Sequence, residues 1–156
     1  MSTIITAGNP LLKKVAEPVT VFDKKLKFLV NDMKKTLYEA NGVGLAAPQI
    51  AVSKRLFVAD DGISGFEAYI NPEWKPDGDK KNMDTEGCLS VPDYYGEVER
   101  YDSVIVHYQD IHGKKKTKKA DGLLARCIQH ETDHLNGILF IEKAVSLHKG
   151  PKNDEE

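Results

Sequence analysis

Asp121-Gly122-Leu123-Leu124-Ala125-Arg126-Cys127-Ile128-Gln129-His130-Glu131-Thr132-Asp133-His134-Leu135-Asn136-Gly137 is the stretch that decides how this chain is read. Asp121 can cap a helix and Asn136-Gly137 can stop one, so the pattern predicts a helix over 121–136. At about 100° per residue, Cys127, His130 and His134 fall within roughly 40° of Leu123, forming one stripe. Leu124, Ile128 and Leu135 fall at about 100–140°, a separate apolar face for the core. His130 and His134 stand one turn apart on the same side, where both imidazoles can bind one metal ion. Glu131 then lies within reach of a water on that metal. The stripe reads as the wall of a pocket.

Working outward, residues 23–41 predict a second helix. Asp23 is its N-cap, Leu26, Val30, Met33 and Leu37 recur at helical spacing, and Gly42 is the stop. The following Gly42-Val43-Gly44-Leu45-Ala46-Ala47-Pro48-Gln49-Ile50 is too rich in Gly and Pro to continue it. Strands are predicted at Arg55–Ala59, near Glu67–Ile70, across Glu97–Gln109 and at Ile138–Ile141. Asp110-Ile111-His112-Gly113 reads as a hairpin turn into a Lys-rich return strand. The polar end from His148 onward reads as frayed, with 149–156 a flexible tail. With no repeat or linker, residues 1–156 are expected to form one domain. The expected class is α+β, with antiparallel sheets packed around a central helix carrying H-E-x-x-H.

Composition narrows the function. The 156 residues carry 22 basic and 24 acidic side chains, a net charge of −2, which excludes an overall polycation bound to nucleic acid by bulk charge. No apolar run approaches the ~20 residues of a membrane span. Two Cys are too few for a disulfide scaffold, so the thiols are expected free in a reducing compartment. The expectation is a cytoplasmic protein without a membrane partner; an organellar or viral origin is compatible with the same residues.

A catalytic metal site needs a third protein ligand. Downstream of His134 the only His is His148. Upstream, Cys88 lies in Glu86-Gly87-Cys88-Leu89-Ser90-Val91-Pro92, where small residues allow close backbone approach. A buried structural thiol is the ordinary reading of such a Cys, so the residues alone leave the third ligand open. They also admit a zinc endopeptidase with a downstream ligand, and a closed structural zinc site of Cys88, Cys127, His130 and His134.

Three segments resemble the signature motifs of the peptide deformylase family, in the family's order. They are Gly42-Val43-Gly44-Leu45-Ala46-Ala47-Pro48-Gln49, Glu86-Gly87-Cys88-Leu89-Ser90 and Gln129-His130-Glu131-Thr132-Asp133-His134. The likeness runs from Asn9-Pro10-Leu11-Leu12 to Ile138-Leu139-Phe140. It implies an enzyme that removes the N-formyl group from the formyl-methionine of newly made proteins and releases formate. By the same resemblance Cys88, His130 and His134 would be metal ligands and Glu131 the general base, later the acid. Gln49 and the Leu89 backbone N–H would stabilise the oxyanion, and Gly44 would bond the substrate backbone.

The substrate-binding set expected with these is Val43, Gly44, Gly87, Leu123 and Cys127, with Val43, Leu123 and Cys127 forming the methionine side-chain pocket. The resemblance implies Fe(II) as the native metal, with Zn, Ni or Co as substitutes. It further implies N-formylmethionyl nascent peptides as partners, no sequence-specific nucleic acid, and a monomer. The acidic, Gly-Pro-containing end departs from relatives that dock on the ribosome through a C-terminal helix. Lys114, Lys115, Lys116, Lys118 and Lys119 read first as a solvated strand edge and second as a weak ribosome contact. His107 and His112 are expected to be strand or surface residues, and Trp74 a packing residue.

Overall fold

The computed structural model describes residues 2–150. Two helices and eight strands build it: α1 (Lys24–Glu39), α2 (Gly122–Leu135), β1 (Gly44–Ala46), β2 (Leu56–Asp60), β3 (Phe66–Pro76), β4 (Lys81–Cys88), β5 (Val91–Tyr101), β6 (Ser103–Gln109), β7 (Lys115–Asp121) and β8 (Ser146–Lys149). Every strand pairing is antiparallel. One sheet has the order β1-β2-β3-β6-β7, and a smaller one the order β4-β5-β8. The expected α+β class is observed.

The larger sheet is covered on both faces, and the period of a strand explains how. On β2, Leu56 and Val58 face α1, packing with Leu26, Val30, Met33 and Leu37. Phe57 and Ala59 face the other way, packing with Leu124, Ala125, Cys127 and Ile128 of α2. Each fully buried Leu or Phe contributes about 1.5–3 kcal/mol of transfer free energy. A third cluster, Val91, Val98, Leu139 and Phe140, seals the small sheet against the chain that follows α2. Helix α2 thus lies between the two sheets.

Asp23 caps α1 as expected, its carboxylate accepting the Leu26 N–H. Several expectations need correction. Glu97–Gln109 is not one strand, because β5 and β6 belong to different sheets and break at Asp102. Ile138–Ile141 is not a strand: Leu139 and Phe140 are buried as a cluster, and the chain turns through a 3-10 helix at Phe140–Glu142. Nor are His148 and Lys149 frayed. They belong to β8, paired opposite Tyr95 and Tyr94, and the Gly150 N–H donates to Asp93 O at 2.7 Å. Residues 151–156 of the expected tail lie outside the described residues. The Lys-rich return strand is β7, at the edge of the larger sheet.

Candidate metal centre and pocket

Residues from two elements meet at the C-terminal half of α2. Cys88 ends β4, and His130 and His134 project from α2, so that their ligand atoms lie within 4.8 Å of one another. Cys88 Sγ is 3.3 Å from His134 Nε2. His130 Nδ1 meets Glu86 Oε1 at 2.9 Å, which leaves its other ring nitrogen for the Cys88 side. The Ser90 backbone N–H donates to Cys88 Sγ at 3.4 Å. Glu131 Oε1 and His134 Nδ1 are buried polar atoms with no hydrogen-bond partner among the described residues. A thiolate with two imidazoles suits zinc and also iron, so the donor set fits a divalent metal.

The electrostatics point the same way. Burial alone would lower His130, but the bonds to Cys88 and Glu86 and the charge of Glu131 raise it to about 10. The same negative surroundings favour positive charge beside the imidazole. His134 is pushed well below its ordinary value by burial and by the positive charges of His130 and Arg100, so it is a neutral donor. Burial lifts Glu131 to about 7, with the His130 charge opposing. A carboxyl near that value can both take and return a proton at neutral pH.

Gln49 follows Pro48 in a 3-10 helix, and its side chain is only 1% exposed rather than facing solvent. Its Oε1 accepts the Ala46 N–H at 2.9 Å, and Nε2 donates to Ser90 Oγ at 3.0 Å and lies 3.6 Å from Cys88 Sγ. The amide N–H groups are therefore aimed across the ligand cluster. The chain's beginning ties the two loops together, with the Ile5 N–H on Gln49 O at 2.8 Å and the Ala7 N–H on Ser90 O at 2.7 Å.

A pocket of about 470 Å³ opens beside this cluster. Cys88, His130 and Glu131 line it together with Val43, Gly44, Gln49, Gly87, Leu89, Leu123 and Cys127. Of the expected site residues only His134 lies behind the wall, buried at 1% exposure. Gly44 is required at its position: a Cβ there would lie 2.6 Å from Cys127 Sγ and 2.7 Å from Glu131 Oε2. Cys127 is outside the ligand cluster, and burial raises its thiol well above the usual range. A closed four-ligand zinc site including Cys127 therefore has no geometric basis.

Other expected non-ligands fall where the sequence puts them. His107 Nδ1 meets Thr117 Oγ1 at 2.9 Å on the exposed sheet, His112 is in the hairpin turn, and Trp74 packs edge-on to Tyr101. Sequence reasoning missed Tyr94 and Tyr95, which line the pocket from β5. It also missed a buried ion network behind His130. There Glu86 accepts from Arg100 and Arg126, and Arg100 also donates to Asp133. Burial opposes the charge on Glu86, yet the Arg100 and His130 contacts hold its carboxyl far below the usual range. The one sequence signal for this network was Arg126, one turn before His130 at the edge of the pocket stripe.

Residues 1–150 match the family model of polypeptide deformylase. The chain is 46% identical over 148 residues to a peptide deformylase of Rhizobium meliloti (strain 1021), covering 92% of this chain and 85% of that protein. It is 48% identical over 142 residues to that of Caldicellulosiruptor bescii, covering 91% and 84%. The crystal structure of peptide deformylase from Thermotoga maritima superposes with a TM-score of 0.90 at 43% identity, covering 94% of this chain and 99% of that one. The deformylase of Synechococcus elongatus in complex with actinonin gives 0.89 at 40% identity, covering 93% and 79%. Motifs, fold and relatives agree, and the chain belongs to the peptide deformylase family, metal-dependent hydrolases that deformylate nascent peptides.

Proposed function

We propose that this chain hydrolyses the formyl group from N-formylmethionyl peptides, using a metal held by Cys88, His130 and His134. Fe(II) is the metal proposed for the cell, with Zn, Ni or Co as substitutes. One observation carries the reading: three donor atoms within 4.8 Å of one another stand beside the buried carboxyl of Glu131, whose Oε1 has no hydrogen-bond partner among the described residues. A bound divalent cation supplies an acidified water and polarises the formyl carbonyl.

The protein's own groups do the rest. Glu131 removes the proton of the attacking water and passes it to the departing amine, which is otherwise a very poor leaving group. As the carbonyl oxygen gains charge, the Gln49 amide and the Leu89 backbone N–H are the donors assigned to it. Such donors contribute about 3–4 kcal/mol each at a developing oxyanion. Gln49 is fit for this because Ala46 and Ser90 fix its carboxamide before substrate arrives. Gly44 and Gly87 offer backbone along the pocket rim. Val43, Leu123 and Cys127 form the slot for the methionine side chain, whose unbranched thioether suits soft, irregular surfaces.

The substrate is a nascent chain, so the proposed setting is the cytoplasm, with the protein acting as a monomer. The exposed lysines of β7 are the surface offered for a weak ribosome contact. Formate release tests the activity. The expected result is rapid release from a formyl-Met peptide, slower release from formyl-Leu, and no reaction with acetyl-Met. Equal rates on all three would reject the proposed specificity, and no formate from any would reject the reaction.

A further inference from the structure

Two guanidinium groups converge on Glu86, the carboxylate behind His130. Arg100 donates from Nε to Oε2 and from Nη2 to Oε1, both at 2.9 Å. Arg126 adds Nη1 to Oε2 at 2.6 Å. His130 Nδ1 takes the remaining direction on Oε1 at 2.9 Å. Arg100 divides its charge, since Nη1 also donates to Asp133 Oδ2 at 2.7 Å. Arg126 instead spends its other N–H groups on uncharged acceptors: Val98 O at 2.9 Å, Asn82 O at 3.0 Å and Asn82 Oδ1 at 2.6 Å.

We propose that Arg126 is a positioning residue of the metal centre, orienting the His130 imidazole through Glu86 and fixing β4, which carries Cys88, against α2. This rests on the reading of Cys88, His130 and His134 as ligands. Arg126 and His130 are four residues apart on α2, so one helix face presents both groups to the same carboxylate. A carboxylate gripped at Oε2 by two N–H groups cannot swing, and Oε1 stays aimed at Nδ1. The grip on Asn82 and Val98 clamps β4 and β5 to the helix that bears the two histidines. Groups behind a ligand orient it and tune its donor strength, and their loss costs about 10–100-fold in metal affinity. Removing Arg126 would leave Glu86 with a guanidinium already shared with Asp133, an undercompensated buried charge beside a ligand.

The test uses the cobalt-loaded protein, comparing Arg126→Met and Arg126→Lys with the wild type. The readouts are the rate at which a chelator strips cobalt and the visible spectrum of the bound ion. Arg55→Met is the control, because Arg55 grips the end of the same helix at Leu135 O (2.8 Å) and Asn136 Oδ1 (2.9 Å), outside the Glu86 network. Arg126→Met should release cobalt about 10–100-fold faster with a shifted spectrum. Arg126→Lys should fall between it and the wild type, and Arg55→Met should keep the wild-type rate at a lowered melting temperature. Wild-type release and spectrum in Arg126→Met would overturn the proposal. Equal acceleration in Arg55→Met would also overturn it, because metal loss would then follow from any loosening of α2. If Arg126→Met does not fold, Asn82→Ala must show a smaller change in the same direction, and an unchanged rate there overturns the proposal. A wild-type protein that takes up no cobalt overturns the ligand reading and this inference with it.

Discussion

A methyl group at position 44 would fall between Cys127 Sγ and Glu131 Oε2, at 2.6 and 2.7 Å, inside the pocket. Gly44→Ala must therefore push β1 away from α2 or displace Glu131. Overpacking of this kind costs about 1–3 kcal/mol. Here it acts on the reacting groups, so kcat/KM on a formyl-Met peptide should fall at least about tenfold; steady-state kinetics check this, and near-wild-type kcat/KM would mean that β1 moves freely. Cys88→Ala should lose metal and activity together, because it would delete one of the three proposed bonds to the ion; metal analysis of the purified variant checks that. At this scale the sequence was readable where chemistry coincides with a period. His130, Glu131 and His134 are local to one helix, so spacing alone brings them together. Cys88 is distant along the chain: the residues offered it as one candidate, and only the motif resemblance assigned it the third place. Apart from the place of Arg126 one turn before His130, the Glu86 network left no mark in the sequence, because pairing across β4, β5 and α2 leaves no periodic trace.

Both helices were legible because their apolar residues repeat at helical spacing between a cap and a stop. β4 was not: Lys81-Asn82-Met83-Asp84-Thr85 is exposed at every position, so no alternation marks it. β1 is three residues long and lies inside a Gly- and Pro-rich segment, whose composition signals a turn. β8 was misread for the same reason as β4, since all four residues are exposed and the strand is held by its ladder to β5. That ladder backs Tyr95, whose ring packs over Gly87 beside Cys88 and is stacked by His148 at 6.3 Å. Loss of the strand should be felt at the site. Relative to a chain ending at Gly150, one ending at Val145 should melt about 4–8 °C lower, corresponding to about 2 kcal/mol. Thermal unfolding of the two truncations decides it, and equal melting temperatures would make β8 an ornament of the small sheet.

At the scale of the molecule, the proposed ligands come from both sides of a seam: Cys88 from the small sheet, the histidines from the helix packed on the large one. A metal held there would staple the two layers and favour the folded chain, in which the three donors are brought together. At a thousandfold excess over its dissociation constant, such a ligand adds about 4 kcal/mol. Stripping it with a chelator should lower the melting temperature by about 8–16 °C; scans of loaded and stripped protein measure it, and identical scans would place no metal at the seam. In the proposed mechanism the two duties of the site are separable: Cys88, His130 and His134 would hold the ion, and Glu131 would move the proton. Formate release by Glu131→Gln, with bound metal determined on the same sample, tests that division most directly. The predicted result is full metal occupancy with turnover down about 10²–10⁴-fold, the usual contribution of general acid–base catalysis. Turnover above a tenth of wild type with the metal in place would contradict it.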